Sequence, residues 1–125
     1  MAKILLVDDE IEFVEMIAFR LAKTGGYDVV SAYDGEEGLR KARSEHPDLI
    51  ILDIWMPKKD GYQVIKELKG SEETARIPVI FLAASNLPQT LEKVKAAGGA
   101  DYILKPFDPP VLMTKIKTVL EKNNV

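Results

Sequence analysis

Five short runs of β-forming apolar residues recur along the chain: KILLV (3–7), YDVVSA (27–32), DLIILD (48–53), IPVIFLA (77–83) and ADYIL (100–104). The first, third and fourth are nearly unbroken Val, Ile and Leu, the pattern of parallel strands covered on both faces. The second run is more polar and suits the edge of a sheet. Between the runs the apolar period changes to that of a helix. Val14, Ile17, Ala18 and Leu21 fall on one face, and Thr24-Gly25-Gly26 ends that helix. Asp34 is placed to cap a second helix that reaches about Glu45, with Pro47 beyond its end. Asp60 caps a third, with Val64, Ile65 and Leu68 turned inward. Pro88 opens a fourth, stopped by Gly98-Gly99. Asp108-Pro109-Pro110 starts a fifth, which carries Val111, Leu112, Ile116, Val119 and Leu120, and only residues 123–125 read as frayed.

The alternation is (βα)₅, and strands alternating with helices imply an α/β fold: a doubly wound, five-stranded parallel sheet wrapped on both sides. No linker, repeat or low-complexity segment interrupts residues 1–125, so the expectation is a single domain. Composition narrows the function. A net charge of −3 offers no basic face for nucleic acid, so no direct nucleic-acid partner is expected. The absence of cysteine removes disulfides, thiolate nucleophiles and Cys-type zinc sites, and His46 as the single histidine leaves His-rich metal sites without ligands. His46, before Pro47, reads as a solvated helix-end residue. The sequence shows no signal peptide and no membrane-spanning apolar run, so a cytoplasmic location is expected.

Sites in open parallel sheets form beyond the carboxyl ends of the strands. There the first strand ends in Asp8 and Asp9, the third in Asp53, and the fifth in Lys105-Pro106. Two carboxylates about 4 Å apart repel by roughly 4 kcal/mol at an effective dielectric near 20. Three together need a cation or a proton, and a hard divalent ion with oxygen ligands, Mg²⁺, suits the set. Three aspartates, Mg²⁺ and Lys105 come to a formal charge near zero. A carboxylate beside two cations is placed to attack phosphorus, and Asp53, alone on the middle strand, is the better nucleophile. Taken singly the same residues are bland: Asp9 and Glu10 read as helix caps, Lys105 as a surface lysine and Tyr102 as a half-buried strand aromatic. Their conjunction at one sheet edge carries the information.

ILLVDDE, PDLIILDIWMPKKDGYQV, IPVIFLA and GGADYILKPF, in that order, resemble the receiver domain of bacterial two-component response regulators across essentially the whole chain. The resemblance implies a flavodoxin-like fold with strand order 2-1-3-4-5. It implies that Asp53 is the phosphoacceptor, and that Asp8, Asp9 and Asp53 bind Mg²⁺ with the backbone carbonyl of Trp55. Lys105 would contact the phosphoryl group through a loop with a cis bond to Pro106, and Tyr102 would be the aromatic that rotates on activation. The implied partners are a histidine kinase or phosphotransfer protein, and a target bound on the face of the fourth helix, fifth strand and fifth helix. Such a chain is not an enzyme on other molecules; it catalyses only its own phosphorylation and dephosphorylation.

One position departs from the family: Ala83 stands at the end of the fourth strand, where Thr or Ser is usual. That change leaves phosphorylation in place and weakens switching, unless Ser85 supplies the hydroxyl. Trp55 is also bulkier than usual beside the acceptor and is suited to shield an acyl phosphate from water. Phe13, Met16 and Arg20 form a second line on the first helix, beside the acids, which reads as a docking surface for the kinase or, more plainly, as partly covered side chains. A phosphorylation-independent interaction module with the same fold is the alternative that Ala83 favours and the acid set opposes. A flavodoxin-type FMN binder would need a hydroxyl- and glycine-rich loop where Asp8 and Asp9 stand. A haloacid-dehalogenase-like phosphatase would need an aspartate at Trp55.

Overall fold

The computed structural model describes residues 1–84 and 90–123, and over these strands and helices alternate from end to end. The order is β1 Lys3–Val7, α1 Ile11–Gly25, β2 Asp28–Ala32, α2 Gly35–Glu45, β3 Leu49–Asp53, α3 Gly61–Lys69, β4 Val79–Ala83, α4 Thr90–Ala96, β5 Asp101–Leu104 and α5 Pro109–Asn123. The strands form one parallel sheet in the order β2-β1-β3-β4-β5. The fold and strand order are those expected, with the polar second strand at an edge. Four runs start a residue or two later than their apolar pattern. In β4 this follows from Pro78, which has no N–H to give the ladder, although its carbonyl still accepts the Ile50 N–H at 2.9 Å.

The pleat divides the core into two layers. Ile4, Leu6, Ile51 and Leu82 meet Val14, Ile17 and Leu21 of α1 and Leu112, Ile116 and Val119 of α5. On the opposite face Leu5, Leu52, Val79 and Phe81 meet Leu39 of α2, Val64, Ile65 and Leu68 of α3, and Val94 of α4. β1, β3 and β4 are sandwiched between the layers, which is why their sequences are almost wholly aliphatic. Ala18 lies at the margin of the core, and Val111 remains 47% exposed.

Caps hold the helices at the expected places. Gly26 ends α1 in the left-handed conformation, φ 70°. Asp34 accepts the Glu37 N–H at 2.8 Å, while Glu37 Oε1 accepts the Tyr33 N–H at 2.7 Å. Asp60 and Gln63 form a reciprocal capping box, each bond 2.9 Å. At α5 the Asp108 carbonyl accepts the Val111 N–H at 2.9 Å. His46 ends α2, exposed, at φ 49°. The expected start of the fourth helix at Pro88 and the residues after Asn123 lie outside the described residues. Among the described residues no helix is long and apolar enough to cross a membrane.

Candidate functional site

The register sets the carboxyl ends of β1, β3, β4 and β5 along one edge, with Val7 opposite Leu52, Asp53 opposite Leu82 and Ala83 opposite Leu104. Each chain reversal at that edge is tied down by main-chain bonds. Asp8 N–H donates to Ala32 O at 3.1 Å, Ile54 N–H to Leu82 O at 3.1 Å, and Lys105 N–H to Ala83 O at 2.7 Å. Gly61 N–H donates to Ile54 O at 2.7 Å, closing the loop after Asp53. A side chain at Gly61 would lie 2.6 Å from the Asp53 carbonyl oxygen, so the start of α3 can pass this close only as glycine.

This edge brings together the four residues expected there. Asp8 is completely buried and Asp53 nearly so, while Asp9 faces outward. Oxygens of Asp8, Asp9 and Asp53 lie within 4.8 Å of one another. The Lys105 ammonium sits 2.5 Å from Asp8 Oδ2, 3.0 Å from Glu10 Oε1 and 3.7 Å from Asp53 Oδ2. Asp8 Oδ1 accepts the Glu10 N–H at 3.0 Å. The ammonium pairs with Asp8 Oδ2 by charge but not along a hydrogen-bond direction, so among the described residues this buried oxygen has no hydrogen-bond donor.

Burial is the first cause of the unusual acidities. It raises Asp8 above the usual carboxylate range, and Lys105 and the Glu10 amide pull it back only part of the way. Asp53 is pushed up to about 7, by burial first and the Asp8 charge second, against the opposing pull of Lys105 and the Trp55 amide. Burial lowers Lys105, but the close Asp8 and Glu10 carboxylates and the charge of Asp53 outweigh it, and the net direction is upward. An excess of carboxylate that cannot ionise comfortably, with an orphaned buried oxygen among three oxygen donors, fits a small hard cation.

The remaining expected residues fall as follows. Trp55 follows Asp53 by two positions, with its indole 67% exposed. Ala83 is buried at the tip of β4, and Tyr102 of β5 packs half-buried against the same core layer. Ser85 lies outside the described residues. On α1, Met16 and Arg20 are exposed. Phe13 is half-buried: the Lys105 ammonium stands 4.6 Å from its ring centroid, and Phe107 meets it edge-on at 5.8 Å. The line Phe13–Met16–Arg20 is therefore not one exposed stripe. Lys105-Pro106 is cis, as the resemblance implied.

Sequence reasoning missed Glu10 as a partner of Lys105. Its place before α1 suggested a helix cap, but its side chain caps nothing and reaches across to the lysine instead. Its charge makes a fourth carboxylate, so the site is more negative than the count of three aspartates suggested.

Comparison with known proteins agrees with this geometry. Residues 4–117 match the response regulator receiver domain. The alkaline phosphatase synthesis transcriptional regulatory protein PhoP of Bacillus subtilis (strain 168) is 39% identical over 125 residues, covering 98% of this chain and 50% of PhoP. The DNA-binding dual master transcriptional regulator RpaA of Synechocystis sp. is 36% identical over 126 residues, covering 99% of this chain and 51% of RpaA. The chain thus spans about half the length of these curated relatives. Among solved structures, chemotaxis protein CheY4 of Vibrio cholerae superposes with a TM-score of 0.89 at 34% identity, covering 95% of this chain and 98% of CheY4. With the sheet order, the acid cluster at its carboxyl edge and these matches in agreement, the chain belongs to the response regulator receiver domain family.

Proposed function

We propose that this chain is a phosphoacceptor receiver: it takes a phosphoryl group on Asp53 from a histidine kinase or phosphotransfer protein and signals through protein contacts. The observation that carries the reading is Asp53 itself, a buried carboxylate at the strand end, clustered with the Asp8 and Asp9 carboxylates and 3.7 Å from the Lys105 ammonium. Asp8, Asp9, Asp53 and the Trp55 carbonyl would hold Mg²⁺, which when bound supplies positive charge to the phosphoryl oxygens. An Asp53 carboxylate oxygen attacks phosphorus. The new O–P bond forms as the bond to the leaving group breaks, and the leaving group departs with the electron pair. Lys105, with its ammonium 3.7 Å from Asp53 Oδ2, would meet a phosphoryl oxygen carried on that carboxylate.

Residues 1–125 act as one receiver domain in the cytoplasm. Met16 and Arg20 on α1 face a docking kinase, and Phe13 borders that surface. The target meets the face built by α4, β5 and α5, where Leu91 and Val111 are 42% and 47% exposed. The receiver makes no direct nucleic-acid contact; the DNA-binding function named for RpaA is assigned to no residue here. Ala83 favours a second reading, a receiver-like module whose contacts ignore phosphorylation, because that buried strand tip carries no hydroxyl to meet the phosphoryl group.

Acetyl phosphate with Mg²⁺ tests the proposal. Wild type should label stoichiometrically and Asp53→Asn not at all, while Asp9→Ala should fail by losing metal affinity. Persistent stoichiometric label on Asp53→Asn refutes the assignment, and an unlabelled wild type favours the second reading.

A further inference from the structure

The Lys105 ammonium is in contact both with carboxylates and with an aromatic face. Asp8, Glu10 and Asp53 supply the charges, and the Phe13 ring stands 4.6 Å from Nζ at its centroid. The lysine is anchored at its root by the 2.7 Å bond from its N–H to the Ala83 carbonyl, so its reach is set, while its long side chain retains rotational freedom. Phe13 is itself held. Phe107, in the same loop as Lys105, stands against it in a T-shaped pair at 84°, and the ring packs against the core layer that holds α1 and α5. Only 16% of the Lys105 side chain is exposed, and an ammonium this poorly hydrated gains from the negative face of a ring.

We propose that Phe13 is a positioning residue for phosphoryl transfer: its ring face seats the Lys105 ammonium beside Asp53, where a phosphoryl oxygen arrives. The proposal rests on the reading of Asp53 as phosphoacceptor. Three carboxylates attract the ammonium without fixing its direction, because charge attraction is broad in angle. The ring adds a contact that is favourable only over its face, and so narrows where the ammonium can sit beside Asp53. Removing its π face while keeping apolar bulk loosens the lysine and spares the packing. Phe13 also belongs to the helix that carries exposed Met16 and Arg20, so a protein docked on α1 would press on the seat of the catalytic lysine.

The test compares acetyl phosphate labelling rates at saturating Mg²⁺. Phe13→Leu should be slower by about 2-fold to about 10-fold, the range a partly desolvated cation–π contact implies. Phe13→Trp and Phe13→Tyr, which restore a ring face, should regain most of the rate. Phe19→Leu serves as the control, since it removes a ring from under Lys23, 5.7 Å away, on an exposed part of α1, and should leave the rate unchanged. In a Lys105→Met background Phe13→Leu should have no further effect. A wild-type rate in Phe13→Leu, no recovery with Trp, or an equal fall in the Lys105→Met background overturns the proposal. If Phe13→Leu does not fold, the wild type decides: in metal-free protein the Lys105 ε-methylene protons should be shifted upfield by the ring, and their absence from the upfield region overturns it. Label persisting on Asp53→Asn would sink the phosphoacceptor reading and leave that proton shift standing.

Discussion

In metal-free protein near neutrality Asp53 is a mixture of acid and carboxylate, because burial and the Asp8 charge raise it from 3.8 to about 7. The sign of the consequence follows. A carboxyl raised on folding makes the folded state bind its proton more tightly than the unfolded chain does. The cost of ionising it is therefore fully present above pH 7 and is relieved as pH falls toward 4. Asp8, raised for the same first reason, acts in the same direction. Asp53→Asn, which removes the ionisation, should thus stabilise the metal-free protein at pH 8 by on the order of a few kcal/mol. The gain should shrink at pH 5. Thermal unfolding in chelator at the two pH values measures it, and a gain no larger at pH 8 than at pH 5 contradicts the account. These individual residues were legible in part. Asp8, Asp9, Asp53 and Lys105 end strands, and strand ends can be found from apolar runs alone. Glu10 and Phe13 could not be found this way, since what matters is their distance from a lysine more than ninety residues away, and nothing local in DDEIEF records it.

Elements were the most readable scale, because each is governed by short-range chemistry. Asp34, Asp60 and Gly26 mark their helix ends in sequence and do so in the structure, since a cap needs only a particular side chain or backbone freedom at one position. Close approach between elements is a different matter. Gly26 and Gly61 look alike as letters, but their demands are opposite. Gly26 has φ 70° with open space around its missing side chain, whereas Gly61 would drive a methyl group into the Asp53 carbonyl oxygen at 2.6 Å and the Ile54 Cα at 2.9 Å. Backbone cannot give way there as a flexible side chain could. Gly26→Ala should cost about 1 kcal/mol of stability through strain at φ 70° and leave labelling by acetyl phosphate at its wild-type rate. Gly61→Ala should cost about 1–3 kcal/mol and also slow labelling, because the displaced atoms belong to Asp53, the proposed phosphoacceptor, and its neighbour Ile54. Denaturant unfolding together with the labelling rate separates the two. Equal labelling in both variants would show that the end of β3 can move without moving the site.

At the scale of the whole molecule the pleat decides which parts can speak to each other. Val79, Phe81 and Ala83 share one face of β4, and Tyr102 packs on that same layer, so the strand tip beside Asp53 and the aromatic of β5 lie on one side of the sheet. Alternation in the sequence predicts this sidedness once the strand order is known, and the order itself was legible only through the family resemblance, since five aliphatic runs could pair in several ways. If Asp53 is phosphorylated as proposed, a message to the α4–β5–α5 face would have a short path, but at Ala83 that path lacks a donor. A hydrogen bond to a charged group is worth roughly 1.5–3 kcal/mol, or about 10- to 150-fold in a two-state equilibrium. A ligand shifts two conformations only by its differential interaction with them. Phosphorylation should proceed here, with Lys105 and the metal seat absorbing the added charge, and should bias Tyr102 only weakly. Beryllofluoride with Mg²⁺ should give small chemical-shift changes across β5, α5 and the described part of α4, and larger ones in Ala83→Thr, whose hydroxyl would sit on the Tyr102 side of the sheet. If wild type already rearranges fully there and threonine adds nothing, the signal runs through the Lys105 loop, whose N–H is bonded to the Ala83 carbonyl, and not through a side chain at position 83.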